Sequence, residues 1–242
     1  MKKRVLQTVS LLLLLFTMLA TGGCMNSTSE IAKKAKELLS VKYGCDFEAV
    51  TVGNRFNKDT ADVVLHPSFD ESLTFKAVIN TKTLECEDDF VDRAVGRDYS
   101  SELTKDLENK GLTSFAVAVL YSDNTEEETD YRISAGDFAD KYHLSKIHFY
   151  WMLDGSCITH NTADLIVAAC KELSKKYNCN ISVTGYVINS SFQKSAAEIA
   201  LNVSVSETSF RDYDVGARFL FAYIDGKLNT DPSTIQAEIE GS

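Results

Sequence analysis

Cys157 and His160 make a Cys-x-x-His step, the pairing through which a thiol becomes a nucleophile when a base lies within hydrogen-bond reach. A thiol enzyme or hydrolase built on it would use Cys157 as nucleophile and His160 as base. The residues around Cys157 supply neither a neighbouring Lys or Arg nor a Gly-x-Ser-x-Gly elbow. The same step is half of a zinc site, with Cys170, Cys179, His143 and His148 near it in sequence. Zinc needs four nitrogen or sulfur ligands, and the second tight pair is missing, so no metal and no cofactor are expected. Cys45, Cys86, Cys157, Cys170 and Cys179 are an odd set without regular spacing. They read as free thiols packed as small hydrophobes rather than as a disulfide framework.

Two acidic stretches are the other chemistry-bearing feature: Glu85, Glu87, Asp88, Asp89 and Asp92, and Glu126, Glu127 and Glu128 with Asp130. Neither has the interleaved spacing that wraps a chain around calcium. The first group precedes an apolar-periodic run, where carboxylates favour a helix N-terminus. The second reads as an exposed loop that could meet a cationic peptide or a basic protein face. The run His148, Phe149, Tyr150 and Trp151 reads as core, because alternate members of a strand point to opposite faces.

The elements that hold these residues follow from periodicity. Ser29 is placed to cap a helix whose stripe is Ile31, Ala35, Leu38 and Leu39, ended by Gly44. Strands are expected at Asp46 to Val52, Ala61 to Leu65 and Leu73 to Asn80. A second helical region covers Asp88 to Asn109, broken near Gly96 and Ser100-Ser101. Leu112 to Tyr121 is apolar on both faces, as a central strand would be. Ser134 with Asp137 caps a short helix ending near His143, and Ile147 to Leu153 is a further strand. Asn161 and Asp164 open a third long helix that stops at Asn178. Ile181 to Ile188 and Arg218 to Asp225 are strands, and Phe192 to Asn202 fits either a helix or a strand. Ser40, Lys42, Tyr43 and Cys45 recur as Ser174, Lys176, Tyr177 and Cys179, with weaker echoes of Ala61-Asp62-Val63 in Ala197-Glu198-Ile199 and of Ala77 and Ile79 in Ala222 and Ile224. An internal duplication accounts for that order. The fold class is therefore α+β: mixed β-sheets backed by helices, in two similar halves at residues 30–110 and 111–228, with residues 229–242 as a C-terminal tail.

Lys2, Lys3 and Arg4, an apolar stretch from Leu11 to Ala20, and Thr21-Gly22-Gly23-Cys24 form a positively charged start, a short apolar core and small residues before a cysteine. The apolar part is shorter than the roughly 20 residues of a spanning helix, so it reads as an export signal. The pattern resembles the lipobox of bacterial lipoproteins, with Thr21 where a Leu is usual. The layout is similar to that of uncharacterised surface lipoproteins of low-GC Gram-positive bacteria. The resemblance implies removal of residues 1–23, diacylation of Cys24, a tether over residues 24–29, and a membrane partner reached through the N-terminal lipid on the extracytoplasmic side.

Losing Lys2, Lys3 and Arg4 takes the formal net charge from −10 to about −13, which opposes binding to nucleic acid or to anionic lipid heads. With every catalytic signature incomplete, the leading expectation is a non-catalytic binding or assembly module held at the membrane. An envelope hydrolase or thiol enzyme using Cys157 and His160, and an immunity or sequestration protein for a cationic peptide, are the alternatives.

Overall fold

The computed structural model describes residues 27–54, 59–124 and 127–241; Cys24 and Glu126 lie outside them. Helix α1 (Thr28–Tyr43) begins at Ser27, two residues before the expected cap. Glu30, three residues on, completes a capping box that Ser29 has no partner to make. Its buried stripe is Ile31, Ala35, Leu39 and Tyr43, at fourfold spacing, and Gly44 ends it at φ +68°. Strands β1 (Phe47–Asn54), β2 (Thr60–Pro67), β3 (Phe75–Asn80) and β4 (Cys86–Asp88) form an antiparallel meander in that order. Ala61, Val63 and Leu65 alternate inward towards α1.

Helix α2 (Phe90–Asn109) is continuous through the expected break. Gly96 is there for packing rather than for breaking: a Cβ on it would sit 3.2 Å from the Ala118 carbonyl oxygen, so the helix lies close on the next strand. The second sheet has strands β5 (Ser114–Ser122), β6 (Leu144–Asp154), β7 (Asn180–Ile188), β8 (Val215–Ile224) and β9 (Lys227–Leu228), in that order. Only β6 and β7 are parallel, joined by the crossover helix α4 (Thr162–Tyr177). Helix α3 (Ala135–Tyr142) precedes β6, and Ser134 caps it through the Asp137 N–H. The fold is thus α+β, with two sheets backed by helices and one hydrophobic core running through both.

Two further sequence expectations change, and one open choice is settled. β5 is an edge strand, not a central one. It is apolar on both faces because Ala116 and Ala118 meet the main core while Val117 joins a second cluster around Met152, Tyr186, Phe192 and Phe210. The ambiguous segment is helix α5 (Phe192–Ala200), with Phe192, Ser195 and Ile199 buried on one side, so the echo of 61–63 in 197–199 joins a strand to a helix. Residues 229–242 are no loose tail: Asp231 caps α6 (Pro232–Ile239), and Ile235 and Ile239 are buried against the core. Gln236 ties this helix down, accepting from the Ala163 N–H and donating to the Thr159 carbonyl.

The segments 28–88 and 162–228 are alike in running from a helix into strands that pair in sequence order, each antiparallel to the last, although the second has α5 between β7 and β8 and is preceded in its half by β5, α3 and β6. The strongest echo falls on matching sites. Gly44 and Asn178 are both left-handed, and their N–H groups donate to Ser40 and Ser174. Tyr43 Oη and Lys42 Nζ donate to Asp88 at 2.7 and 2.6 Å. Tyr177 Oη and Lys176 Nζ both donate to Glu102 at 2.7 Å. Lys141 and Tyr142 do the same to Glu128, at 2.8 and 3.1 Å, before left-handed His143. A Lys-Tyr helix end clamped on one carboxylate is thus used three times, which makes it a way of ending helices as well as a mark of similar halves.

Candidate binding groove

The sequence candidates are dispersed. Cys157 lies in a 3-10 turn, Gly155–Cys157, with its Sγ 3.6 Å from Thr113 Oγ1. Hydrogen bonding with the Thr113 side chain and backbone holds its thiol below the usual range, against a smaller opposing effect of burial. His160 is exposed, and no hydrogen bond joins it to Cys157. All five described cysteines are unbridged. Among the described residues no group of three or more His, Cys, Asp or Glu is arranged to hold a metal ion. His148 shares a 2.8 Å hydrogen bond with Ser182 and meets the Tyr150 ring edge-on.

The acidic loop is largely engaged within the protein. Glu127 is exposed but ion-paired to Lys42. Glu128, expected at the surface, is only 9% exposed in its side chain. It accepts from Lys141, Tyr142 and the backbone N–H groups of Thr129 and Asp130.

The convergent feature lies elsewhere, in a groove of about 320 Å³ between the halves. One wall is a stripe of α2, namely Arg93, Arg97, Ser100 and Thr104, with Gly96 as a notch between them. Spacings of four, three and four put these side chains on one side of the helix. The floor is β5 from Phe115 to Ala118, and the far rim is Ser72 to Thr74 with Ala200 at the end of α5. Thr74 Oγ1 donates to the Leu201 carbonyl, which ties the rim together across the halves.

Two groups in this groove lack their natural partners. Arg93 is half-buried and donates to the Thr74 and Asn202 carbonyls, each at 3.2 Å, but forms no ion pair among the described residues. Burial pulls its guanidinium below the usual range, and only the nearby Asp89 charge opposes this. Ser100 is 6% exposed, and its hydroxyl has no hydrogen-bond partner. Buried polar groups are nearly always bonded, so an orphaned hydroxyl on the same helix wall as a cation without a direct ion pair marks a place that a ligand could complete. Arg97 is paired to Asp70. The sequence reading passed over these residues because it sought catalytic spacings. The available signal was a polar stripe of two Arg and two hydroxyls on the flank of an amphipathic helix.

No family model matches the chain, and no curated protein matches it. A solved crystal structure of a DUF5037 family protein from Ruminococcus gnavus is similar over 88% of this chain and 100% of its own, with a TM-score of 0.64 at 15% identity. At that identity the likeness is one of fold.

Proposed function

We propose that the chain is a lipid-anchored, extracytoplasmic binding module that takes its ligand in the groove between α2 and β5. The observation that carries this reading is that one cavity of ligand size is lined both by Arg93, which has no direct ion pair among the described residues, and by Ser100, whose Oγ has no partner. The anchor rests on the lipobox-like sequence ending at Cys24. No helix of the described residues is long and apolar enough to cross a membrane. That Cys157 makes its hydrogen bonds with Ser156 and Thr113 rather than with His160 favours binding over thiol catalysis. The engagement of Glu127 and Glu128 with lysines of the same chain leaves the cationic groove, rather than the acidic loop, as the favoured contact.

The test has two arms. The full chain made in a Gram-positive host should take up labelled fatty acid at Cys24 and leave the membrane fraction on Cys24→Ala. Native mass spectrometry of the extracted protein should show a bound small mass that is lost in Ser100→Trp, which fills the groove. Unaltered membrane retention in the first arm would remove the anchor, and an unaltered mass in the second would remove the groove.

A further inference from the structure

We propose that the ligand of the groove is a medium-chain organic acid, a monoanion whose carboxylate sits on Arg93 and whose apolar chain runs along the groove past Leu73, Val117 and Phe115. This deepens the reading of the groove as the ligand site and rests on it.

The first argument is charge. Although the chain carries a formal net charge of −10, the groove is lined by two arginines and by no Asp or Glu. Arg97 is spent on Asp70, at 2.5 Å. Arg93 has no direct ion pair among the described residues: its Nε and Nη2 donate to the Thr74 and Asn202 carbonyls, which fix the guanidinium without a countercharge, and its Nη1 makes no hydrogen bond there. Asp89 acts on Arg93 only through space, its Oδ1 being taken by the Lys76 N–H. A planar guanidinium held in this way, with donors left over, matches a carboxylate. One cation without a direct partner calls for one negative charge. A dicarboxylate or a phosphate dianion would bring a second charge into the groove with no second free cation to meet it.

The second argument is what the rest of the lining leaves for a ligand to do. Its hydroxyls are mostly committed within the protein: Ser72 Oγ donates to Asp70, Thr74 Oγ1 to the Leu201 carbonyl and Thr104 Oγ1 to the Ser100 carbonyl. A sugar needs many hydrogen-bond donors, and three of those in the lining are already used. The remaining surface is apolar, with Leu73 on the rim, Phe115 and Val117 in the floor and Ala200 at the end of α5. Gly96 lies over Ala118, and the C-terminal end of α2 leads through residues 110–113 into the start of β5. The helix therefore runs antiparallel to the strand, which places Arg93 at one end of the groove and Thr104 at the other, towards Phe115. Eleven residues of helix separate them, about 16 Å along the axis, so the groove is shaped for a chain rather than for a compact anion. A volume of about 320 Å³, near the lower end of ligand pockets, admits such a chain and not a whole phospholipid.

The experiment is calorimetry on the full chain in detergent, with blank titrations into detergent alone and five probes: octanoate, octanamide, hexanoate, suberate and inorganic phosphate. Octanoate should bind about tenfold more tightly than octanamide, which keeps the chain and loses the charge. It should also bind about tenfold more tightly than hexanoate, which keeps the charge and loses two methylenes. Arg93→Gln should bring octanoate down to the level of octanamide; the comparisons on the unaltered chain do not depend on how that variant folds. Equal affinity for octanoate and octanamide, or suberate or phosphate binding as tightly as octanoate, would overturn the proposal. Octanoate binding undiminished in Ser100→Trp would overturn it too, by placing the acid outside the groove. Failure of all five probes to bind would overturn the ligand class, while the groove reading would still stand or fall on the native small mass and its loss in Ser100→Trp.

Discussion

Phe219 lies flat over Gly185: the two are direct register partners on β8 and β7, and a Cβ on Gly185 would fall 2.0 Å from the Phe219 ring. Both residues belong to the centre of the mixed sheet, and Phe219 is fully buried. The glycine is required by the approach of the ring rather than by a turn.

Gly185→Ala should therefore destabilise by overpacking, by about 1–3 kcal/mol. Phe219→Leu alone should cost stability through lost burial. The double variant should be more stable than the sum of the two single losses predicts, because the smaller side chain makes room for the methyl. Urea midpoints with unchanged slopes would measure this, and simple additivity would show that the ring does not set the glycine.

Glu128 carries a prediction of opposite character. Burial alone would raise its carboxyl, but the Asp130 N–H, Lys141, the Thr129 N–H and Tyr142 together hold it down to about 2, against an ordinary 4.5. With its folded value depressed, its contribution to stability is present above about 4.5 and is lost as pH falls towards 2. Glu128→Gln should cost about 1–2 kcal/mol at neutral pH. The gap to the unaltered chain should close across that acid window. A gap that stays constant from pH 6 to pH 2 would mean the carboxylate charge is not what Lys141 and Tyr142 hold.

Asp89 has the reverse sign. Its carboxyl is pushed up to about 6, chiefly by burial, although it accepts from the Lys76 N–H at 2.7 Å and lies near Arg93. The unfolded chain ionises this group first, so its ionisation weakens the fold as pH rises from about 4 to about 6. Asp89→Asn keeps an oxygen for the Lys76 N–H. It should match the unaltered chain below pH 4 and become the more stable of the two above pH 6. Thermal melts across that range would check it, and parallel curves would refute the shift.

These three sites show what was legible in the sequence. The helices and most strands follow from apolar spacing, and the Lys-Tyr helix ends at 43 and 177 were visible as an echo. The echo did not disclose the carboxylates Asp88 and Glu102 that clamp them, because those partners come from residues 45 and 75 positions away. β5 was misplaced because alternation records whether a face is covered, not whether a neighbouring strand exists: α2 and α5 cover both faces of an edge strand. The groove was hidden for the same reason. Arg93 and Ser100 look like ordinary helix surface until β5 and the end of α5 close over them.

Cys157 differs from the other described cysteines, and labelling order should show it. Burial pushes Cys86 up to about 11 and Cys179 up to about 12, and it raises Cys170 and Cys45 as well. Cys157 alone is lowered, by the Thr113 side-chain hydrogen bond first and the Thr113 backbone second. Because the thiolate is the reactive form, Cys157 should be alkylated first by iodoacetamide near pH 7.5, and Cys170, fully buried, last. Thr113→Val should slow Cys157 several-fold by removing the hydroxyl that favours the thiolate. His160→Ala should leave the rate unchanged, since His160 makes no hydrogen bond to the sulfur. Peptide mapping of a labelling time course reads all three. A rate that falls with His160 rather than with Thr113 would restore the Cys-His pair as a working nucleophile and base, and would move the functional centre from the groove to the turn before α4.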